Sequence, residues 1–257
     1  MTARWTVLGG SAAGGAHARA GRSGQDAYAI VEDAGVLLIV LADGAGSRRC
    51  AATGSSLAVA LAGQVFTALL AGRPPRTAAE WEALLDAAGH RLSRRFRRGT
   101  RALTRAVGGF HPDDLATTVT VVVARPPWLA VLAVGDGIVV VRTADGALEL
   151  LAGPPDEAHR PPGATELLPR AGSHARRVVV HRPDLTGLAV STDGLDDLLV
   201  EYDTSRGRRP GADAFGQLFA LAEAPEPDAT VLNRLLGGAR VGALTDDDRT
   251  LVLAVPR

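Results

Sequence analysis

The stretch VLLIVLADGAGS at residues 36–47 sets seven apolar residues, Val36 to Ala42, directly before Asp43-Gly44. It reads as a strand, with Tyr28 to Val31 as its hairpin partner around Glu32-Asp33-Ala34-Gly35. The arrangement recurs further along the chain. WLAVLAVGDG (128–137) and GLAVSTDG (187–194) each run an apolar strand into an Asp-Gly, at Asp136-Gly137 and Asp193-Gly194. Two more strands are preceded by carboxylates: GQDAYAIV (24–31) by Asp26, and DDDRTLVLAV (246–255) by Asp246-Asp247-Asp248. Asp-Gly is also a plain turn dipeptide, and Asp145-Gly146, between two strand-like runs, fits that reading.

A carboxylate at the mouth of a buried strand is costly unless something compensates it. Two carboxylates about 4 Å apart repel by about 4 kcal/mol at an effective dielectric of about 20. If several of these strand ends converge, divalent cations are the usual remedy. Oxygen-only ligands in a chain with six histidines and one cysteine suit Mg²⁺ or Mn²⁺ rather than Zn²⁺.

Outward from the strand ends, the chain groups its elements by type. Trp5 to Leu8 reads as a strand and Gly9 to Gly24 as a Gly/Ala/Ser-rich loop. Helices follow at Ala51 to Leu70 and Ala78 to Arg98, divided by Pro74-Pro75. The apolar set Trp81, Leu84, Leu85, Ala88, Leu92 and Phe96 marks one face of the second helix. Its other face carries Arg91, Arg94, Arg95, Arg97 and Arg98, either a solvated face or a dock for acidic partners or phosphopeptides. Strands are expected at Ala116–Ala124, Trp128–Val134, Ile138–Arg142, Ala147–Leu151, Arg176–His181, Gly187–Ser191 and Thr250–Val255. Helices are expected at Leu195–Tyr202, Asp213–Ala222 and Asp228–Leu236, and a Pro-rich loop at Gly153–Pro169. Clustered strands and clustered helices favour an α+β sandwich over alternating βαβ units. With no repeat, linker or composition break, residues 1–257 read as a single domain.

Composition excludes several classes. The 28 basic residues are all arginine and balance 28 acids, so a dedicated nucleic-acid binder is not expected. Without lysine the chain has no Walker-A NTPase, protein-kinase or Schiff-base chemistry. One cysteine rules out a disulfide framework and a cysteine zinc cage. No apolar run reads as approaching the roughly 18 residues of a membrane span, and no signal segment opens the chain. The expectation is a soluble, cytoplasmic protein with no membrane partner.

In order along the chain stand His17, Gly21, Gln25-Asp26-Ala27, Ala42-Asp43-Gly44-Ala45-Gly46-Ser47, Thr117-Thr118, Gly135-Asp136-Gly137, Ser191-Thr192-Asp193-Gly194-Leu195 and Asp247-Asp248-Arg249-Thr250. This series resembles the type 2C (PPM) metal-dependent serine/threonine protein phosphatases, in particular a bacterial subgroup. The resemblance implies a four-layer α/β/β/α sandwich with two central antiparallel sheets and a metal cleft at one edge. It implies Asp43 bridging two Mn²⁺ or Mg²⁺ ions, with the Gly44 carbonyl helping to hold one and Asp26 acting mainly through their waters. Asp193 and Asp247 would hold the other ion, and Asp136 a weaker third metal together with Asp193. Asp197 stands where the family often has another acid. A hydroxide bridging the ions would attack phosphorus in line.

Two positions depart from the family pattern. Gly21 stands where many members have a phosphate-binding arginine, leaving Arg22 and Arg19 as the nearest candidates. Ala45 stands where some have a general-acid histidine, leaving His17 or a water. The implied partners are a phosphorylated protein substrate and a cognate Ser/Thr kinase whose signalling the enzyme opposes. The alternatives are a phosphatase for one regulatory phosphoprotein or a small phosphomonoester, and a catalytically weak phosphoprotein-binding scaffold.

Overall fold

A computed structural model of the chain describes residues 4–154, 166–170, 175–203 and 207–257. In chain order the elements are β1 (Trp5–Ala12), α1 (Gly15–Arg19), β2 (Asp26–Asp33), β3 (Val36–Asp43), α2 (Ala51–Leu70), α3 (Ala78–Val107), β4 (Val119–Arg125), β5 (Trp128–Val134), β6 (Ile138–Thr143), β7 (Leu148–Ala152), β8 (Arg176–His181), β9 (Leu185–Ser191), α4 (Asp196–Leu199), β10 (Val200–Asp203), β11 (Gly207–Pro210), α5 (Ala212–Ala222), α6 (Ala229–Leu236), α7 (Ala239–Gly242) and β12 (Arg249–Pro256). Two five-stranded sheets, β2-β3-β4-β5-β8 and β1-β12-β9-β6-β7, carry the fold, and their pairings are antiparallel.

Strand alternation builds three apolar layers from these two sheets. In β3, Leu38, Val40 and Ala42 pack toward α2 and α3, beside Phe66, Trp81 and Phe96. Leu37, Ile39 and Leu41 of the same strand face the second sheet, meeting Val139, Val190 and Val252. The far side of that sheet, Val140, Ala189, Leu251 and Leu253, is covered by α5 and α6 through Phe215, Phe219, Leu232 and Leu236. Antiparallel strands commonly show water one face and alternate in polarity. Here the central strands are covered on both faces, which is why they are apolar without interruption. The sandwich is α+β, with helices on both outer faces.

The β2–β3 hairpin sets the register on which the site depends. Asp33 pairs with Val36 across Ala34 and Gly35, both at positive φ (47° and 79°), the geometry of a type I′ turn. From that turn the register runs unbroken to Asp26 opposite Asp43. A slip of one residue would turn every side chain of a strand to the other face.

Several elements differ from the sequence expectation. The Gly9–Gly24 segment is not all loop: β1 continues to Ala12 along its partner β12, and α1 follows. The second helix does not stop at Arg98 but runs to Val107, with Gly99 set against Leu57 of α2. Leu195–Tyr202 divides into a one-turn α4 and the edge strand β10, paired with β11. The Ala51–Leu70 helix also corrects the reading on apolar runs, being long and apolar enough to cross a membrane by length and composition. It is a core helix, with Ala58, Ala62, Val65 and Phe66 packed under the first sheet. Most of the Gly153–Pro169 loop lies outside the described residues.

Ala34 is the non-glycine residue held at positive φ among those described, a conformation that disfavours a Cβ. Ala34→Asn, which restores the preferred Asn-Gly turn, is expected to stabilise the fold by about 0.5–1 kcal/mol. The measurement is the urea midpoint at unchanged m-value. A lowered midpoint would mean that this turn does not hold the register.

Candidate active site

Asp26 opens β2, Asp43 closes β3, and the hairpin register sets them face to face. Leu41 and Ile30, two steps or more along the same strand faces, pack between the sheets. Alternation therefore turns both carboxylates into the gap between the sheets, at the end remote from the turn. Across that gap β9 ends at Ser191 and continues into Thr192-Asp193-Gly194. Thr192 Oγ1 donates to Asp26 Oδ2 at 2.8 Å and accepts the Thr250 N–H at 3.0 Å. The acidic end of one sheet is thereby tied to β9 and β12 of the other.

The charges identify which acids share this space. Loss of hydration pushes Asp43 up to about 10, and the negative charges of Asp26, Asp193 and Asp247 add to it. Loss of hydration likewise pushes Asp193 up to about 7, with Asp136, Asp247 and Asp26 contributing. Asp26 rises to about 6 for the same first reason, held back by hydrogen bonds from Thr250, Asp43 and Thr192. Five aspartates from β2, β3, the β5–β6 turn, the end of β9 and the entry to β12 thus repel one another across one pocket. Oδ1 of Asp26 is buried and receives no hydrogen bond from an amide or hydroxyl among the described residues. The side-chain contact between Asp26 and Asp43 holds the first down and pushes the second up.

Backbone contacts hold the acids there against that repulsion. The Asp43 carbonyl accepts from Thr117 Oγ1 at 2.7 Å and from the Thr118 N–H at 2.8 Å, and the Asp43 N–H donates to Thr118 Oγ1 at 2.9 Å. The glycines that follow Asp43 and Asp193 act as contact points, not turn formers. A Cβ on Gly44 would lie 2.6 Å from the Ala51 carbonyl, and one on Gly194 only 1.9 Å from the Asp248 carbonyl oxygen. Without a side chain at these positions, α2 closes over the end of β3 and the entry to β12 closes over Asp193.

The three consecutive acids before β12 have three different fates. Asp246 is exposed and pairs with Arg19 at 3.3 Å. Asp247 is exposed and acts on Asp43 and Asp193 through its charge. Asp248 is buried: Oδ1 accepts the Gly14 N–H at 2.6 Å and meets His17 Nδ1 at 3.0 Å, while Oδ2 accepts the Gln25 N–H at 2.6 Å. Burial pushes Asp248 up, but these bonds outweigh it and hold the carboxyl below its usual range. Asp248 thereby anchors the residue directly before Asp26.

Sequence reasoning placed Asp26, Asp43, Gly44, Asp136, Asp193 and Asp247 at one site, and the structure gathers them at one end of the sandwich. His17 lies beside it, on Asp248. Arg19 is drawn to Asp246, and Arg22 is exposed, its N–H donating to the His17 carbonyl at 2.9 Å while its guanidinium has no partner among the described residues. Asp197 is exposed, and its neighbour Asp196 is the acid whose charge environment includes Asp136; Asp196 also lies 3.8 Å from Arg208. Thr192, Thr250 and Asp248 were not singled out for the roles they play, although the quoted motifs contain them.

Among the described residues no three histidine, cysteine, aspartate or glutamate side chains stand in an arrangement that could hold a metal ion. The donor set nevertheless fits hard divalent cations: carboxylate oxygens facing a common space, each costly as an isolated charge, with a buried Asp26 oxygen lacking an amide or hydroxyl donor.

Comparison with known proteins agrees with this reading. A family profile described as protein phosphatase 2C matches residues 13–237, and the chain belongs to that family. It is a protein serine/threonine phosphatase by class, and phosphoproteins are the substrates the family implies. The S. agalactiae serine/threonine phosphatase superposes with a TM-score of 0.65 at 18% identity, covering 99% of this chain and 100% of that one. Stp1 of Staphylococcus aureus gives 0.60 at 16% identity, covering 97% and 94%. The catalytic domain of the phosphatase PstP, solved with two manganese ions, gives 0.60 at 19% identity, covering 99% of each chain. No curated protein matches the sequence.

The raised carboxyls give a testable sign. A carboxyl held above its unfolded value of about 3.8 retains its proton longer in the folded state, so stability is full at low pH and is lost as pH rises toward about 6 for Asp26, 7 for Asp193 and 10 for Asp43. Metal-free protein should therefore melt lower at about pH 8 than at about pH 5, and Mn²⁺ should raise the Tm strongly only at the higher pH. An equal Mn²⁺ effect at both values would contradict this.

Proposed function

We propose that the chain hydrolyses phosphoserine and phosphothreonine in proteins with two Mn²⁺ or Mg²⁺ ions at the aspartate pocket, possessing a single catalytic domain over residues 1–257 and opposing a Ser/Thr kinase in the cytoplasm. One observation carries the reading: the hairpin register sets Asp26 opposite Asp43 at the end of the sandwich where the segments bearing Asp136, Asp193 and Asp247 also stand. The two manganese ions of the PstP catalytic domain, which shares this fold, support it.

Asp43, with the Gly44 carbonyl, and Asp193 and Asp247 would hold the ions, and Asp26 would act chiefly through their waters. Asp136, beside Asp193, would contribute to a third, weaker site. When bound, such a pair lowers the pKa of water to make a nucleophile and screens the phosphoryl oxygens.

The protein's own contribution is placement. The threonine clamp on Asp43 and the Thr192 bond to Asp26 fix two carboxylates before substrate arrives, so little reorganisation is left for the reaction. His17, oriented by Asp248, is the side chain we assign to protonate the departing serine or threonine oxygen. Arg22 and Arg19 are the candidate phosphate contacts, since a guanidinium fork matches phosphate oxygens.

The test is steady-state hydrolysis of a phosphothreonine peptide and an aryl phosphate with Mn²⁺. Asp43→Ala and Asp193→Ala should each lower kcat by about 10³-fold or more while the far-UV spectrum is retained. Activity surviving both substitutions would reject the site.

A further inference from the structure

The outer face of α3 is cationic to a degree that the rest of the molecule does not answer. Arg91, Arg94, Arg95, Arg97, Arg98, Arg101 and Arg105 are all exposed. At about 100° per residue they fall within an arc of about 160°, centred opposite the face that buries Trp81, Leu85, Leu92 and Phe96. The stripe runs about 20 Å along the helix. Between Asp86 and Asp113 the sequence contains no acid, so the helix supplies no Glu or Asp to alternate with these charges. Among the described residues none of the seven guanidinium groups makes an ion pair or a hydrogen bond. They sit three and four residues apart, where like charges oppose the helix. An ordinary solvated face mixes both signs.

The stripe also leads to the pocket. Just beyond α3, the Gly109 carbonyl accepts from Arg49 Nη1 at 2.8 Å, the Asp114 carbonyl from the Cys50 N–H at 2.9 Å, and the Ala116 carbonyl from the Ala45 N–H at 3.0 Å. The loop that leaves Asp43 is therefore stitched to the segment that follows the helix, and the exposed Arg48 and Arg49 extend the basic track to the carboxylates.

We propose that the α3 arginine stripe is a docking surface for a carboxylate-rich segment of the phosphoprotein substrate, lying away from the phosphorylated residue itself. This rests on the phosphatase reading for the substrate's class. Charge complementarity selects the occupant: a protein of net charge zero presents a one-signed track ending at a site for phosphoproteins. A membrane surface is disfavoured because the apolar face of α3 is spent on the core, and the large apolar residue that the described helix exposes is Val107 alone, at its last position.

The test compares two phosphothreonine peptides of equal length, one with an Asp/Glu-rich extension and one with a Gly/Ser extension, on the wild type and on Arg94→Gln/Arg98→Gln/Arg101→Gln. The wild type should show about a tenfold lower KM for the acidic peptide, a gain lost in the triple variant and at about 0.5 M salt. Aryl phosphate turnover and Tm should be unchanged or slightly raised. Anisotropy with a fluorescent Asp/Glu-rich peptide lacking phosphate measures docking without turnover. Stripe-dependent binding by a protein that hydrolyses nothing would sink the phosphatase reading and leave docking intact. Equal KM for both peptides in the wild type, a gain that persists in the variant, or stripe-dependent binding confined to anionic vesicles or duplex DNA would overturn the proposal.

Discussion

The molecule is organised around mutual repulsion between carboxylates that the fold does not allow to separate. Asp26 and Asp43 face each other because the hairpin register leaves them no alternative, and Asp193 and Asp247 approach from the opposite sheet. Such a cluster costs free energy in the folded protein unless protons or cations neutralise it. Hard divalent ions bound among these carboxylates would relieve that cost.

Much of the surrounding structure serves to hold that arrangement. Thr117 and Thr118 grip the Asp43 backbone, and Thr192 joins Asp26 to the second sheet. Asp248 gathers Gly14, His17 and Gln25, so the start of β2 is tied to the start of β12. The glycines after Asp43 and Asp193 permit backbone approaches that any side chain would block. The sandwich itself, with three apolar layers, provides the rigidity against which the charges are held.

Strands such as VLLIVLA were legible because a strand covered on both faces is apolar at every position. The acids at their ends stood out for the same reason, since a charge interrupts a run that otherwise tolerates none. Asp145 was separable because it sits between strands whose turn needs it, and its carboxylate accepts from Thr143 and Ala147. What stayed hidden depends on orientation. Nothing in Asp246-Asp247-Asp248 distinguishes the exposed partner of Arg19 from the buried anchor of Gln25. The end of α3 was misjudged because Gly99 resembles a breaker, whereas it lies against Leu57 on the neighbouring helix. Leu195–Tyr202 has apolar spacing compatible with either state, and only the pairing with Gly207–Pro210 makes its second half a strand.

Carboxyls raised by burial and by one another's charge would have to give up protons to take a divalent ion. Burial and neighbouring charge raise Asp43 to about 10 and Asp193 to about 7, so a divalent ion bound there near neutrality would compete with protons. Titration calorimetry of Mn²⁺ binding at about pH 7, repeated in buffers of different ionisation enthalpy, counts those protons directly. The account predicts a release of about one proton or more, reduced in Asp43→Asn. Binding that releases none, or the same release from Asp43→Asn, would contradict it.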